Sequence, residues 1–76
     1  KMPYSMLRDI MQTAANKAQT WQLYLATGDL LSEHRNEHNQ ARIFYEKATK
    51  DPEIAEELNI QEEINSKITK LCPLEP

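Results

Sequence analysis

The sequence predicts an all-α fold, and three observations carry that prediction. Helix-favouring Ala, Leu, Gln, Glu, Lys and Met dominate a chain of 76 residues that has one glycine and no valine. Sheet-forming residues are sparse and never alternate over a useful length, as a half-buried strand requires. Apolar side chains recur instead at spacings of three and four, the mark of a helix with one buried face. The expected architecture is a three-helix antiparallel bundle, or a helical hairpin plus a capping helix, forming one small domain over 1–76.

The first helix is expected over about 5–32. Ser5 follows Pro3, and its hydroxyl can accept an orphan first-turn N–H as an N-cap. Leu7, Ile10, Met11, Ala14, Ala18, Trp21 and Leu25 then fall on one face, and neither proline nor glycine interrupts before Gly28. The rival reading breaks the helix near Gln19 and Thr20, with Thr20 capping a new helix at Trp21.

The second helix is expected over about 39–50. Ala41, Phe44, Tyr45 and Ala48 stand at i, i+3, i+4 and i+7, an apolar stripe over two turns. Pro52 ends it, because proline disfavours helical geometry in Asp51 and has no N–H to donate. The same dipeptide starts the third helix, expected over about 52–71, with Asp51 as N-cap and proline at the first helical position. Ile54, Leu58, Ile64, Ile68 and Leu71 form its inward stripe, with Ile60 near the edge. Glutamates crowd its first half and Lys67 and Lys70 its end, which complements the helix dipole. Asn59 followed by Glu62 offers a capping box at which the helix could restart. Pro73 ends it.

Composition narrows the function classes. A domain this small leaves little surplus over chain entropy, so a partner or a neighbouring repeat often supports it. Cys72 is the single cysteine, which excludes an internal disulfide and a four-thiolate zinc site and fits a reducing compartment. It reads as a small apolar residue closing the last helix beside Leu71. Nine basic against twelve acidic side chains give a net charge of −3, which argues against binding a nucleic-acid backbone. No apolar run approaches the ~20 residues that span a bilayer, and no signal-peptide core stands at the N-terminus. The expected location is intracellular, in cytoplasm or nucleus. Lys1 in place of an initiator methionine and the proline-closed "PLEP" read as the ends of a piece of a larger protein.

"HRNEH", residues 34–38, matches the H-x-x-E-H signature of the inverted zinc peptidases. His34 and His38 at i, i+4 could supply two ligands from one helical face. That chemistry also needs a third ligand, a substrate cleft and a long helix backed by a sheet. Here the motif lies within nine consecutive polar residues, "SEHRNEHNQ", whose asparagines favour turns. The stretch therefore reads as an interhelical connection, and zinc binding through His34 and His38 ranks last among the alternatives. Glycine-rich phosphate loops, nucleophile signatures and calcium-loop spacing are missing from the sequence, so no catalytic, cofactor or metal residue is assigned and the chain is expected not to be an enzyme.

Residues 21–52, "WQLYLATGDLLSEHRNEHNQARIFYEKATKDP", resemble one repeat of the tetratricopeptide superfamily, including its half-a-tetratricopeptide (HAT) branch. The shared scheme is an aromatic-led first helix, a small residue, then a second helix with Ala, a large aromatic, Ala and a closing proline. Trp21, Tyr24 and Gly28 fill the first helix. Ala41, Phe44, Tyr45 and Ala48 fill the second, and Pro52 closes the unit. "ARIFYEKA" is close to the HAT second helix. The distance from Trp21 to Ala41 exceeds the usual one, so the turn is expanded or a helix extended, and no second copy is found. "ARIFYEKA" is also similar to the second helix of the microtubule-interacting-and-transport (MIT) domain, a three-helix bundle that binds short peptide tails.

These resemblances imply a non-catalytic interaction module in a larger intracellular scaffold, within RNA-processing machinery if the HAT likeness holds, with a protein or peptide as partner. The last helix would act as a polar cap. A long first helix carrying Met6, Met11, Trp21 and Leu23 has more apolar perimeter than two short helices can cover. That leftover surface invites a homodimer or a partner helix.

Overall fold

The computed structural model describes residues 3–71, and among them the chain forms helices and no strand. Four α-helices follow one another: α1 (Tyr4–Ala18), α2 (Trp21–Ser32), α3 (His38–Thr49) and α4 (Leu58–Lys70), with short 3-10 turns at Arg35–Glu37 and Pro52–Ile54. The all-α expectation holds. The expected continuous helix over 5–32 does not, and the rival break is the one that forms. Cys72 and Pro73 lie outside the described residues.

Gln19 makes the break. It adopts the left-handed conformation, φ 54° and ψ 41°, and its N–H closes α1 on the Ala15 carbonyl at 2.8 Å. A non-glycine residue in that region costs roughly 1–2 kcal/mol. Tertiary contacts offset it. Folding α2 back along α1 buries Ala15 and Thr27 completely, and a straight helix would have left both in water. The Thr27 hydroxyl donates to the Leu23 carbonyl at 2.7 Å and lies 3.3 Å from the Met11 carbonyl across the helix pair. Thr20 is extended as an N-cap should be but makes no cap bond with its side chain. Asp51 serves instead: its Oδ2 accepts the Trp21 N–H at 2.9 Å.

Asp51 also behaves as the sequence predicts at its own position. Its Oδ1 accepts the Glu53 N–H at 2.9 Å, with Pro52 opening the 3-10 turn. One carboxylate thereby holds two chain starts. The expected third helix, however, is interrupted after Ile54 and resumes at Leu58. Asn59 sits inside α4 rather than capping it, and Glu57 is the flanking residue. The Gln61 amide secures the junction, donating to the Thr49 and Ile54 carbonyls at 2.9 Å each. The interruption turns Leu58 out to 72 % exposure, against the expectation that it is buried. Ser5 is corrected likewise: α1 already begins at Tyr4, with Pro3 as flanking residue.

The core lies where α2, α3 and α4 meet. Ala41, Phe44, Tyr45 and Ala48 are all buried, together with Leu31, Ile54, Ile64 and Leu71. Trp21, Leu23, Tyr24, Leu25, Ile60 and Ile68 are half-buried against them. The contacts Ser32–His38, Asp29–Tyr45 and Trp21–Asp51 run in opposite chain order along α2 and α3, so the two form an antiparallel hairpin. α1 packs on α2.

Candidate interaction surface

Gly28 sets how closely α2 and α3 approach. A Cβ there would stand 2.6 Å from Tyr45 Cε1 and 2.7 Å from Cδ1, well inside van der Waals contact. Lacking a side chain, Gly28 lets the Cδ1–Cε1 side of the Tyr45 ring close on the α2 backbone. The hydroxyl at the far end of that ring donates to Asp29 Oδ1 at 2.6 Å. Burial, and then this bond to a carboxylate, raise the Tyr45 pKa well above the ordinary 10.0. Lys67 of α4 reaches the same carboxylate oxygen at 3.2 Å, so Asp29 joins three helices. Lower on the hairpin, the Tyr24 and Phe44 rings meet at 6.1 Å with a tilt of 40°. The Lys47 ammonium sits 5.7 and 5.3 Å from their centroids.

The "HRNEH" stretch does what a turn does and adds an anchor. Glu37 accepts a hydrogen bond from the Tyr4 hydroxyl, and its other oxygen takes Arg8 Nη1 at 2.6 Å. The His34 ring stacks on Tyr4, centroids 3.9 Å apart, and His38 Nε2 lies 2.7 Å from the Ser32 carbonyl. The Tyr4 hydrogen bond and, after it, Arg8 lower the Glu37 pKa below its ordinary value. Burial and the Glu37 contact push Tyr4 up to about 12. Among the described residues, no three His, Cys, Asp or Glu side chains gather as a metal ion would need. The glutamate that a peptidase would turn toward water is here turned toward α1.

α1 is thus tied down at its N-terminal end, yet its outer face is bare. Met6 is 52 %, Ile10 49 % and Leu7 38 % exposed. Met6 and Leu7 each lie about one turn from Ile10, which stands at i+4 and i+3 from them. Between α1 and α2 runs a groove of about 340 Å³ lined by Leu7, Met11, Ala26, Leu30, Asp29 and Glu33. On the other side of Ile10 a shallower hollow of about 400 Å³ is lined by Asp9, Ile10, Thr13 and Ala14. The two share α1 and form one apolar strip with carboxylates along its borders.

The residues that carry the repeat resemblance therefore have structural places. Gly28, Ala41, Phe44, Tyr45 and Ala48 are buried at the α2–α3 contact, Trp21 and Tyr24 are half-buried beside it, and Pro52 opens the turn after α3. None of them lines the apolar strip on α1. Leu7 and Ile10, assigned by periodicity to a covered face, are exposed. Periodicity finds the apolar side of a helix but not whether anything covers it.

No family model, curated protein or solved structure matches this chain. Among the described residues, no helix is long and apolar enough to cross a membrane.

Proposed function

We propose that this chain is a non-catalytic protein–protein interaction module, a scaffold segment of the tetratricopeptide/HAT kind. The α2–α3 hairpin is its rigid support, and the outward strip of α1 with the α1–α2 groove is its contact face. One observation carries the reading. Three large apolar side chains, Met6, Leu7 and Ile10, stand in solvent on a helix that Glu37 and Thr27 hold in place. Exposed apolar strips on anchored helices mark association surfaces. The repeat reading rests on the residue pattern of 21–52, with Gly28 as the small residue of the first helix and Tyr45 as the large aromatic of the second. The three-helix, MIT-type reading is the less favoured one, because the described residues form four α-helices. An intracellular scaffold suits a sequence with one cysteine, and a role in RNA processing rests on the HAT resemblance alone.

A photoreactive amino acid placed at Ile10, in the protein expressed at its native level in its own cells, tests this reading. Cross-linking to a protein is expected from Ile10 and not from Glu62, which is exposed on α4. Equal yields from the two positions, or none from either, would contradict it.

A further inference from the structure

We propose that α1 is an exchangeable arm, and that two copies of this chain pair by trading it. In the pair Gln19 leaves the left-handed region and 4–32 becomes one straight helix. Each α1 then packs on the α2 of the other copy. The hinge is short and strained: only Gln19 and Thr20 separate α1 from α2. Gln19 sits at φ 54°, where glycine is at ease and glutamine is not. Neither proline nor glycine stands between Tyr4 and Thr27, so the covalent chain does not oppose a straight helix there. Straightening relieves Gln19 and lets the N–H groups of Thr20, Trp21, Gln22 and Leu23 reach carbonyls four residues back. It gives up the bond from the Trp21 N–H to Asp51 Oδ2 and the cover that α1 and α2 give each other. Short hinges under strain favour exchange of an element between copies.

The lost cover returns in the pair. Tyr4 stacks on His34 and donates to Glu37, and Arg8 also holds Glu37. The Thr27 hydroxyl meets the Met11 carbonyl, and Lys47 reaches Asn16. Every one of these ties joins α1 to a residue beyond the hinge, so a second copy can supply each of them unchanged. The register agrees. Tyr4 opposite His34 and Met11 opposite Thr27 straddle Gln19 evenly, with α1 antiparallel to α2. Two straight helices laid antiparallel about a twofold axis at Gln19 bring the same residues together, and cover Ala15 and Thr27 again. The interface is the α1–α2 contact of the single chain made twice, the isologous form that closed dimers take. Asp51 sets the balance, because its bond to the Trp21 N–H exists only while the helix is broken. The outer strip of α1 takes no part and stays open in both forms.

Light scattering on a concentration series, after incubation at millimolar chain, should show a dimer growing in. Asp51→Ala should raise the dimerisation constant about tenfold or more, because two broken hinges each lose a hydrogen bond. Gln19→Gly should lower it about tenfold or more, since glycine holds the left-handed hinge without strain and weakens a straight helix. Spin labels at Ser5→Cys and Glu33→Cys read the path of the arm, in a Cys72→Ser chain diluted into excess unlabelled protein. Both sites are exposed and adjoin Tyr4 and His34, which stack in the single chain. The labels should therefore be close in the monomer and about 42 Å apart along the straight helix of the dimer. Arg8→Glu and Glu37→Arg chains, each without its own latch, should pair on mixing about tenfold more than either does alone. Circular dichroism checks that each variant keeps its helices. Chains that stay monomeric at millimolar concentration even with Asp51→Ala overturn the proposal. So does a dimer that keeps the labels close, or one that Gln19→Gly leaves unchanged, for such a pair joins closed chain to closed chain.

Discussion

α3 and α1 are both amphipathic, yet they meet the rest of the molecule in different ways. Along α3 all four stripe residues, Ala41, Phe44, Tyr45 and Ala48, are buried; along α1 only Ala15 is. α3 lies between α2 and α4 and is held by shape, with the Tyr45 ring pressed on Gly28 and Phe44 against Tyr24. α1 has α2 on one side and solvent on the other. Its side-chain ties are polar: Glu37 grips Tyr4 and Arg8 at one end, Thr27 meets the Met11 carbonyl midway, and Lys47 reaches Asn16 near the other end. An apolar stripe is a demand for a partner, and this fold meets the demand for α3 and leaves it open for α1. The hairpin is the support; α1 is what it presents.

Truncating the hairpin should have the largest effect. Tyr45→Ala empties the space over Gly28 and leaves Asp29 with Lys67 alone, and should cost about 3–5 kcal/mol. Chemical denaturation measures it, and a loss under 1 kcal/mol would deny the hairpin its role as support. Gly28→Ala asks the converse question by adding one methyl group where the ring already lies. Overpacking there should cost about 1–3 kcal/mol despite the better helix propensity of alanine. A stabilised variant would show that the two helices part easily.

Asp51 links the hairpin to the chain on either side of it. Asp51→Ala removes the acceptor of both the Trp21 and Glu53 N–H groups, and a loss of about 1–2 kcal/mol is expected, with faster amide exchange at the start of α2. Asparagine there, which still accepts, should recover part of it.

Glu37→Gln should act on α1 and not on the hairpin. The pair is partly exposed, so solvent screening limits the loss to about 1 kcal/mol, seen as faster exchange of α1 amides. The pH dependence follows the same division. Glu37 has a folded pKa below its ordinary 4.5, so its contribution is complete above 4.5 and lost as pH falls through the lowered value. Tyr4 has a folded pKa of about 12 against 10.0. Its contribution is complete below 10 and lost as pH rises toward 12. Attachment of α1 should be level between these limits and fall at both ends. A steady fall across pH 6 to 8 would contradict this assignment.

The smallest effect belongs to the outer strip. Ile10→Glu should change stability by no more than about 0.5 kcal/mol, because Ile10 lies outside the buried core and is 49 % exposed. A loss above 1.5 kcal/mol would make Ile10 a core residue and close the strip as a binding face.

What the sequence disclosed follows the same line. The α3 stripe and the Asp51–Pro52 start were legible because each is local: four spacings within one helix, one carboxylate two residues from its donor. The break at Gln19 was legible only as an alternative. No breaker marks it, and what holds it is Asp51, thirty residues away. Leu58 joins the inward stripe only if Pro52 to Leu71 is one helix, and the interruption after Ile54 rotates everything beyond it. "HRNEH" was recognisable as a turn. That its glutamate ties down α1 was not, since Tyr4 and Arg8 lie 33 and 29 residues away. The strip on α1 was visible as apolar letters, but its exposure depends on how the other helices pack.

Native-state hydrogen exchange, followed residue by residue, tests most directly whether a packed hairpin presents a separately attached helix. Amides of Leu31, Phe44, Tyr45 and Ala48 should exchange only through global unfolding. Amides of Leu7 to Ala14 should exchange through a smaller opening of α1, which Glu37→Gln makes easier still. If α1 and the hairpin share one free energy of exchange, and Glu37→Gln lowers both alike, the molecule is a single cooperative bundle and the division drawn here is wrong.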